Sequence, residues 1–159
     1  MSFSKPSNDA DVREPVQVVY DAQCPLCTLY CEQAQQNIRL GSETDNGMTI
    51  ELELVDARKD SLLLAEITRL GLDIDDGMVV KTGDSIHYGA DAIHTLTRYS
   101  RKGGFFVVVS RLLFGSAQRA RWIYPWLRRV RNLILALLGR RRINNLKLPG
   151  RDRWYSFKR

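Results

Sequence analysis

Val16-Gln-Val-Val-Tyr-Asp-Ala-Gln-Cys-Pro-Leu-Cys-Thr-Leu-Tyr-Cys-Glu-Gln-Ala-Gln-Gln-Asn-Ile38 is the stretch that decides how this chain is read. A short β-branched run, Val16 to Tyr20, stops at Asp21; Cys24 follows, and Pro25 opens a segment with helical spacing. The local order is strand, tight loop, helix, with a Cys-x-x-Cys pair at the helix mouth. Proline is favoured at the first helical position because its missing N–H would be unpaired there anyway, which makes Cys24 the N-cap. There its sulfur faces unpaired backbone N–H groups and the positive end of the helix dipole, and both favour thiolate over thiol. Cys24 and Cys27, three apart on a first turn, come within reach of a disulfide without backbone movement. The expected chemistry is thiol–disulfide exchange, with Cys24 as the more exposed, attacking sulfur and Cys27 resolving.

Asp21 carries two readings. Partly buried near Cys27, its carboxylate would take the resolving thiol's proton. Alternatively it closes the loop or caps the helix, as aspartate does at turns. Cys31, one turn beyond Cys27, is a second resolving thiol, a redox sensor or a small buried core residue, the last being the commoner use. The helix itself is expected over Pro25 to Leu40, stopped by Gly41, with Leu26, Leu29, Tyr30, Ala34 and Ile38 as its buried stripe.

Downstream, Met48 to Val55 alternates Ile50, Leu52 and Leu54 with Glu51 and Glu53, the mark of a half-buried strand. Asp60 or Ser61 caps a helix that ends at Gly71. Two short apolar runs separated by Thr82-Gly83-Asp84 read as a hairpin. Asp91 to Ser100 follows as a helix with Ala92, Ile93, Leu96 and Tyr99 inward. The element order is therefore β-α-β-α-β-β-α.

The string Tyr20-Asp21-Ala22-Gln23-Cys24-Pro25-Leu26-Cys27 resembles the signature of the DCC-type thiol-disulfide oxidoreductases, a family of the thioredoxin-like superfamily, and the likeness of order reaches from about Val16 to Arg142. The resemblance implies an α/β, thioredoxin/glutaredoxin-like three-layer domain and redox exchange on a disulfide- or thiol-bearing protein or small thiol. The cysteine pair would be the redox group, with no further cofactor. Thioredoxin-like oxidoreductases usually carry a cis-proline before the third strand; here Gly77-Met78 stands in that place. The alternative is a metal site, for which Cys24, Cys27 and Cys31 would need His87 or His94 to complete four ligands.

The 159 residues carry a formal charge of +6, but it is unevenly spread. Residues 1–100 hold 8 Lys and Arg against 17 Asp and Glu, net −9, and residues 101–159 hold 16 against 1, net +15. Residues 1–14 read as a flexible leader without a secretory core, 15–102 as the redox domain, 103–147 as a basic amphipathic helical extension and 148–159 as a basic aromatic tail. The expected setting is cytoplasmic, where a Cys-x-x-Cys pair means redox or metal chemistry rather than a structural framework.

In the extension, Ala117 to Leu138 reads as one long helix with Trp122, Ile123, Trp126, Leu127, Val130, Leu133, Ile134 and Leu137 at helical intervals, broken or kinked at Pro125 near Tyr124. Arginines interrupt every run before the ~20 apolar residues needed to span a bilayer. Either this apolar stripe packs on the core, or residues 105–142 lie on an anionic membrane as a peripheral, inner-face contact or partner-binding adaptor. Nucleic-acid binding fits the charge but lacks a recognisable module.

Overall fold

The computed structural model describes residues 15–42, 50–59, 61–100, 105–151 and 155. The elements are β1 (Val16–Tyr20), α1 (Pro25–Ser42), β2 (Leu52–Asp56), α2 (Leu62–Arg69), β3 (Val79–Thr82), β4 (Ser85–Tyr88), α3 (Ala90–Tyr99), α4 (Phe105–Phe114) and α5 (Ala117–Leu137). They form a sheet ordered β2-β1-β3-β4. β1 runs parallel to β2, with Val18 opposite Leu54, and antiparallel to β3, with Val18 opposite Val80. A parallel pair needs a crossover, which α1 supplies; β3 and β4 need only the Gly83-Asp84 turn.

As an inner strand β1 is apolar on both faces. Val16, Val18 and Tyr20 pack with Cys31, Ala34 and Ile38 of α1 and with Ala92 and Leu96 of α3. Val19, pointing the other way, meets Leu63 and Ile67 of α2 and Ile74. Helices thus cover both faces of a mixed sheet, which is the three-layer thioredoxin-like α/β arrangement the element order predicts.

Several boundaries move. β2 starts at Leu52, because Ile50 and Glu51 fall outside the ladder, while residues 43–49 lie outside the described part of the chain. α1 continues through Gly41 to Ser42, and Leu29 points outward rather than joining the buried stripe. Ser61 caps α2 by accepting the Leu64 N–H at 3.0 Å; Asp60 lies outside the described residues.

The larger correction concerns α5. It runs unbroken through Pro125, whose side stays exposed, so no helix end occurs near Tyr124. Its buried residues are Ala120, Arg131 and Leu135, with Tyr124 and Leu127 partly covered. These recur every three or four positions and define the face that meets α3 and α4. The expected stripe divides: Ile123 and Leu127 pack against Ile93, Phe114 and Ala120, whereas Trp122, Trp126 and Leu137 are 79%, 66% and 76% exposed. Tyr124 sets the docking: Gly77 and Gly89 leave room for its ring, and a Cβ on Gly77 would stand 2.6 Å from its hydroxyl. That hydroxyl donates to the Asp76 carbonyl at 3.1 Å.

Candidate active site

β1 delivers Asp21 to the loop before α1. The Asp21 Oδ1 accepts the Gln23 N–H at 3.0 Å and its carbonyl accepts the Cys24 N–H at 3.0 Å, a self-closed turn that places Cys24 before Pro25. The loop-closing role expected of Asp21 is therefore realised. From the N-cap position the Cys24 Sγ accepts the Cys27 N–H at 3.4 Å, and the Cys24 carbonyl accepts the Thr28 N–H at 3.0 Å.

The sulfur environment is asymmetric. The hydrogen bond from the Cys27 side chain, together with the Cys27 N–H and the Arg131 charge, outweighs burial and lowers the Cys24 thiol from 9.0 to about 6. The same contact with Cys24, together with burial, raises the Cys27 thiol. Burial pushes Cys31 up to about 12, and its side chain is fully enclosed in the core between α1 and the sheet. Cys31 thus takes the core position.

Access runs opposite to expectation. Cys24 is fully buried beneath Leu135 of α5 and Tyr155 of the tail. Cys27 is half-buried and forms part of the wall of a cavity of about 230 Å³. The physical reason is that Leu135 of α5 and Tyr155 pack across the helix mouth, a long-range contact with no local signal in the Cys-x-x-Cys stretch.

Two arginines serve the buried Asp21. Arg58 clamps it with both nitrogens, Nε to Oδ1 at 2.7 Å and Nη2 to Oδ2 at 3.0 Å, and the Nη2 of Arg131 lies 3.6 Å from Oδ2. Arg131 also donates to the Asp75 carbonyl. Asp75, itself buried, accepts the N–H groups of Ile143 at 2.9 Å and Asn144 at 2.8 Å and the Tyr155 hydroxyl at 2.7 Å. Sequence reasoning singled out none of Arg58, Asp75, Arg131 and Tyr155 for the site. Arg131 had a signal: it is the charged residue in the stripe Ala120, Tyr124, Leu127, Arg131, Leu135, where a charge needs a buried partner.

The histidines are elsewhere. The His94 Nδ1 lies 2.7 Å from the Phe114 carbonyl, and the His87 Nε2 lies 3.4 Å from the Thr82 hydroxyl. Among the described residues no group of three His, Cys, Asp or Glu side chains converges as a metal site would require.

A four-stranded mixed sheet with a dithiol at the mouth of its first helix defines a thioredoxin-like thiol protein. A family model described as DCC1-like thiol-disulfide oxidoreductase matches residues 18–137, and the chain belongs to that family. No curated protein and no solved structure matches it. Among the described residues no helix is long and apolar enough to cross a membrane.

Proposed function

We propose that the chain is an enzyme that exchanges a Cys24–Cys27 disulfide for the dithiol of a disulfide- or thiol-bearing protein or of a small thiol, with the cysteine pair as its only redox group. The observation that carries this is the Cys24 sulfur, held against the Cys27 N–H with the Arg131 charge behind it. A thiol of low pKa is largely thiolate, the form that attacks in exchange, at neutral pH, and it also departs more readily as a leaving group. Cys24 is therefore the attacking sulfur of the pair and Cys27 the sulfur bonded to it in the oxidised state. An order in which Cys24 meets the partner first requires Leu135 and Tyr155 to move, because they cover it. Asp21, its oxygens engaged by Arg58 and the Gln23 N–H, serves as the group that positions the loop and Arg131 rather than as a free proton acceptor. The compartment in this reading is the cytoplasm, where reductants regenerate a working dithiol.

The test is a redox titration in glutathione buffers, with thiols trapped in acid and mapped. The expected result is a two-electron transition of Cys24 and Cys27 together, leaving Cys31 reduced at every potential. Failure of the pair to oxidise as a unit would remove the assignment.

A second reading concerns address rather than chemistry. Trp122, Trp126, Val130, Leu133 and Leu137 are exposed on α5 at spacings of three or four, and Arg121, Arg128 and Arg129 are exposed beside them. The Arg129 guanidinium stands 5.2 Å from the Trp126 ring. An amphipathic face of this composition suits the interface of an anionic bilayer, where indole rings sit at headgroup depth and guanidinium groups meet phosphates. The proposed location is peripheral, at the inner face of a membrane. Sedimentation with anionic but not zwitterionic vesicles, abolished by salt, is the expected outcome.

A further inference from the structure

Cys24 is the sulfur prepared for attack, yet no part of it reaches solvent, so exchange needs a way to uncover it. Two side chains lie over it, Leu135 and Tyr155, and they are held in different ways. Leu135 belongs to α5, a helix of 21 residues fastened by Tyr124 to the Asp76 carbonyl and by Arg131 to the Asp75 carbonyl, so its backbone stays with the fold. Its side chain can turn aside only where a neighbouring group gives way.

Tyr155 is held, among the described residues, by contacts that can be named one by one. Its hydroxyl donates to the Asp75 Oδ1 at 2.7 Å, its N–H reaches the Arg140 carbonyl at 3.5 Å, and the guanidinium groups of Arg142 and Arg131 stand 5.0 Å and 5.9 Å from its ring centre. The backbone bond is at the long limit, and cation–π contacts are weak beside a hydrogen bond to a buried carboxylate. Asp75 does not depend on the tyrosine in return. It also accepts the N–H groups of Ile143 at 2.9 Å and Asn144 at 2.8 Å, so releasing Tyr155 leaves the carboxylate partnered.

Resting on the exchange reading, we infer that Tyr155 controls access to the attacking sulfur: its hydrogen bond to Asp75 latches the ring over Cys24, and the ring must leave, letting Leu135 turn aside, before Cys24 meets a partner. The covered form shields a thiolate from chance oxidants, and the uncovered form is the one that exchanges. Cys24 then reacts in proportion to how often the latch opens. That opening is local and costs less than unfolding, because only the contacts of one side chain are given up. Cys31, enclosed between α1 and the sheet, has no such route and is reached only when the core itself opens. The two buried cysteines therefore report two different motions of the same chain.

The experiment uses the full reduced chain and iodoacetamide, with initial alkylation rates mapped at Cys24 and Cys31 by mass spectrometry. The rate at Cys24 is divided by the thiolate fraction that absorbance gives for each variant, so that altered ionisation is not counted as altered access. Tyr155→Phe keeps the ring and removes the latch, and the ratio of the Cys24 rate to the Cys31 rate is expected to rise about tenfold, as one hydrogen bond to a charged group is lost from the covered form. Tyr155→Ala removes the ring as well and is expected to raise the ratio further. Equal acceleration of both cysteines would mean that Tyr155 supports the fold as a whole, and it overturns the inference, as does an unchanged ratio in Tyr155→Phe. Should Tyr155→Ala fail to fold, Tyr155→Phe decides alone. The glutathione titration judges exchange separately. A pair that oxidises as a unit beside an unchanged ratio leaves exchange standing without the latch, and a pair that never oxidises removes exchange and the purpose of the latch together.

Discussion

The first hundred residues and the last fifty-nine carry opposite charge, net −9 against +15, and are built differently. The first part folds around β1 by local rules: alternation in strands, helical stripes and glycine at turns. The second lays Trp122, Trp126 and Leu137 outward on α5 and turns Arg131 inward. The ion pairs explain part of this. Asp21 meets Arg131, Asp76 meets Arg128 at 3.6 Å, Asp91 meets Arg121 at 3.3 Å, and Asp73 meets Arg151. Exposed pairs of this kind contribute little each, whereas a buried charge left without its partner is costly. The charge division therefore acts first as an internal seam, closed at Asp21 and Asp75, and the thiol pair sits on that seam.

The strongest way to break the seam is Asp75→Ala. It orphans the buried N–H of Asn144, the N–H of Ile143 and the Tyr155 hydroxyl, and a stability loss of ~3–5 kcal/mol is expected in urea unfolding. An effect below ~1 kcal/mol would mean that the two parts hold together without Asp75.

Arg131→Met cuts the seam at the sulfurs. Asp21 keeps Arg58, so the expected loss is smaller, ~2 kcal/mol. The diagnostic readout is thiolate absorbance: its midpoint, expected near pH 6 in the unsubstituted protein, is expected to move upward as the Arg131 contribution vanishes. A midpoint that stays in place would assign the shift to Cys27 alone.

The pH dependence of the reduced protein sharpens the same point without mutation. Between about pH 6 and 9 folded Cys24 has lost its proton while the unfolded chain retains it, so stability rises by about 1.4 kcal/mol per pH unit from this group. It is lost as pH falls through the folded value. Above about pH 9 the sign reverses: unfolded Cys27 and Cys31 ionise while their folded counterparts hold their protons. Urea unfolding from pH 6 to 10 is expected to show a maximum near pH 9, and Cys24→Ala to flatten its acid limb.

The smallest effect on stability belongs to the outward face. Trp122→Ala with Trp126→Ala is expected to stay within ~0.5 kcal/mol of the parent, apart from the weak Arg129–Trp126 contact, while vesicle sedimentation is lost. Retained sedimentation would move the address away from α5.

Much of the fold was legible from residues close in sequence. The strand before Asp21, the proline opening α1, the alternation of Leu52, Glu53 and Leu54, and Gly83 at the hairpin all act within a few positions. The thiol pair and its helix-mouth setting were legible for the same reason. The face of α5 was not, because its apolar residues are too numerous for periodicity to choose one stripe; the choice depends on where Gly77 and Gly89 admit Tyr124.

The chain by itself determined that two sulfurs would share the first turn of a helix, since spacing, proline and backbone polarity are local. Only the tertiary structure decided which sulfur is covered and which is open, and which charges stand behind them. Leu135, Tyr155, Arg131 and Arg58 reach the site from distant positions, and burial is a property of packing that no neighbouring residue encodes.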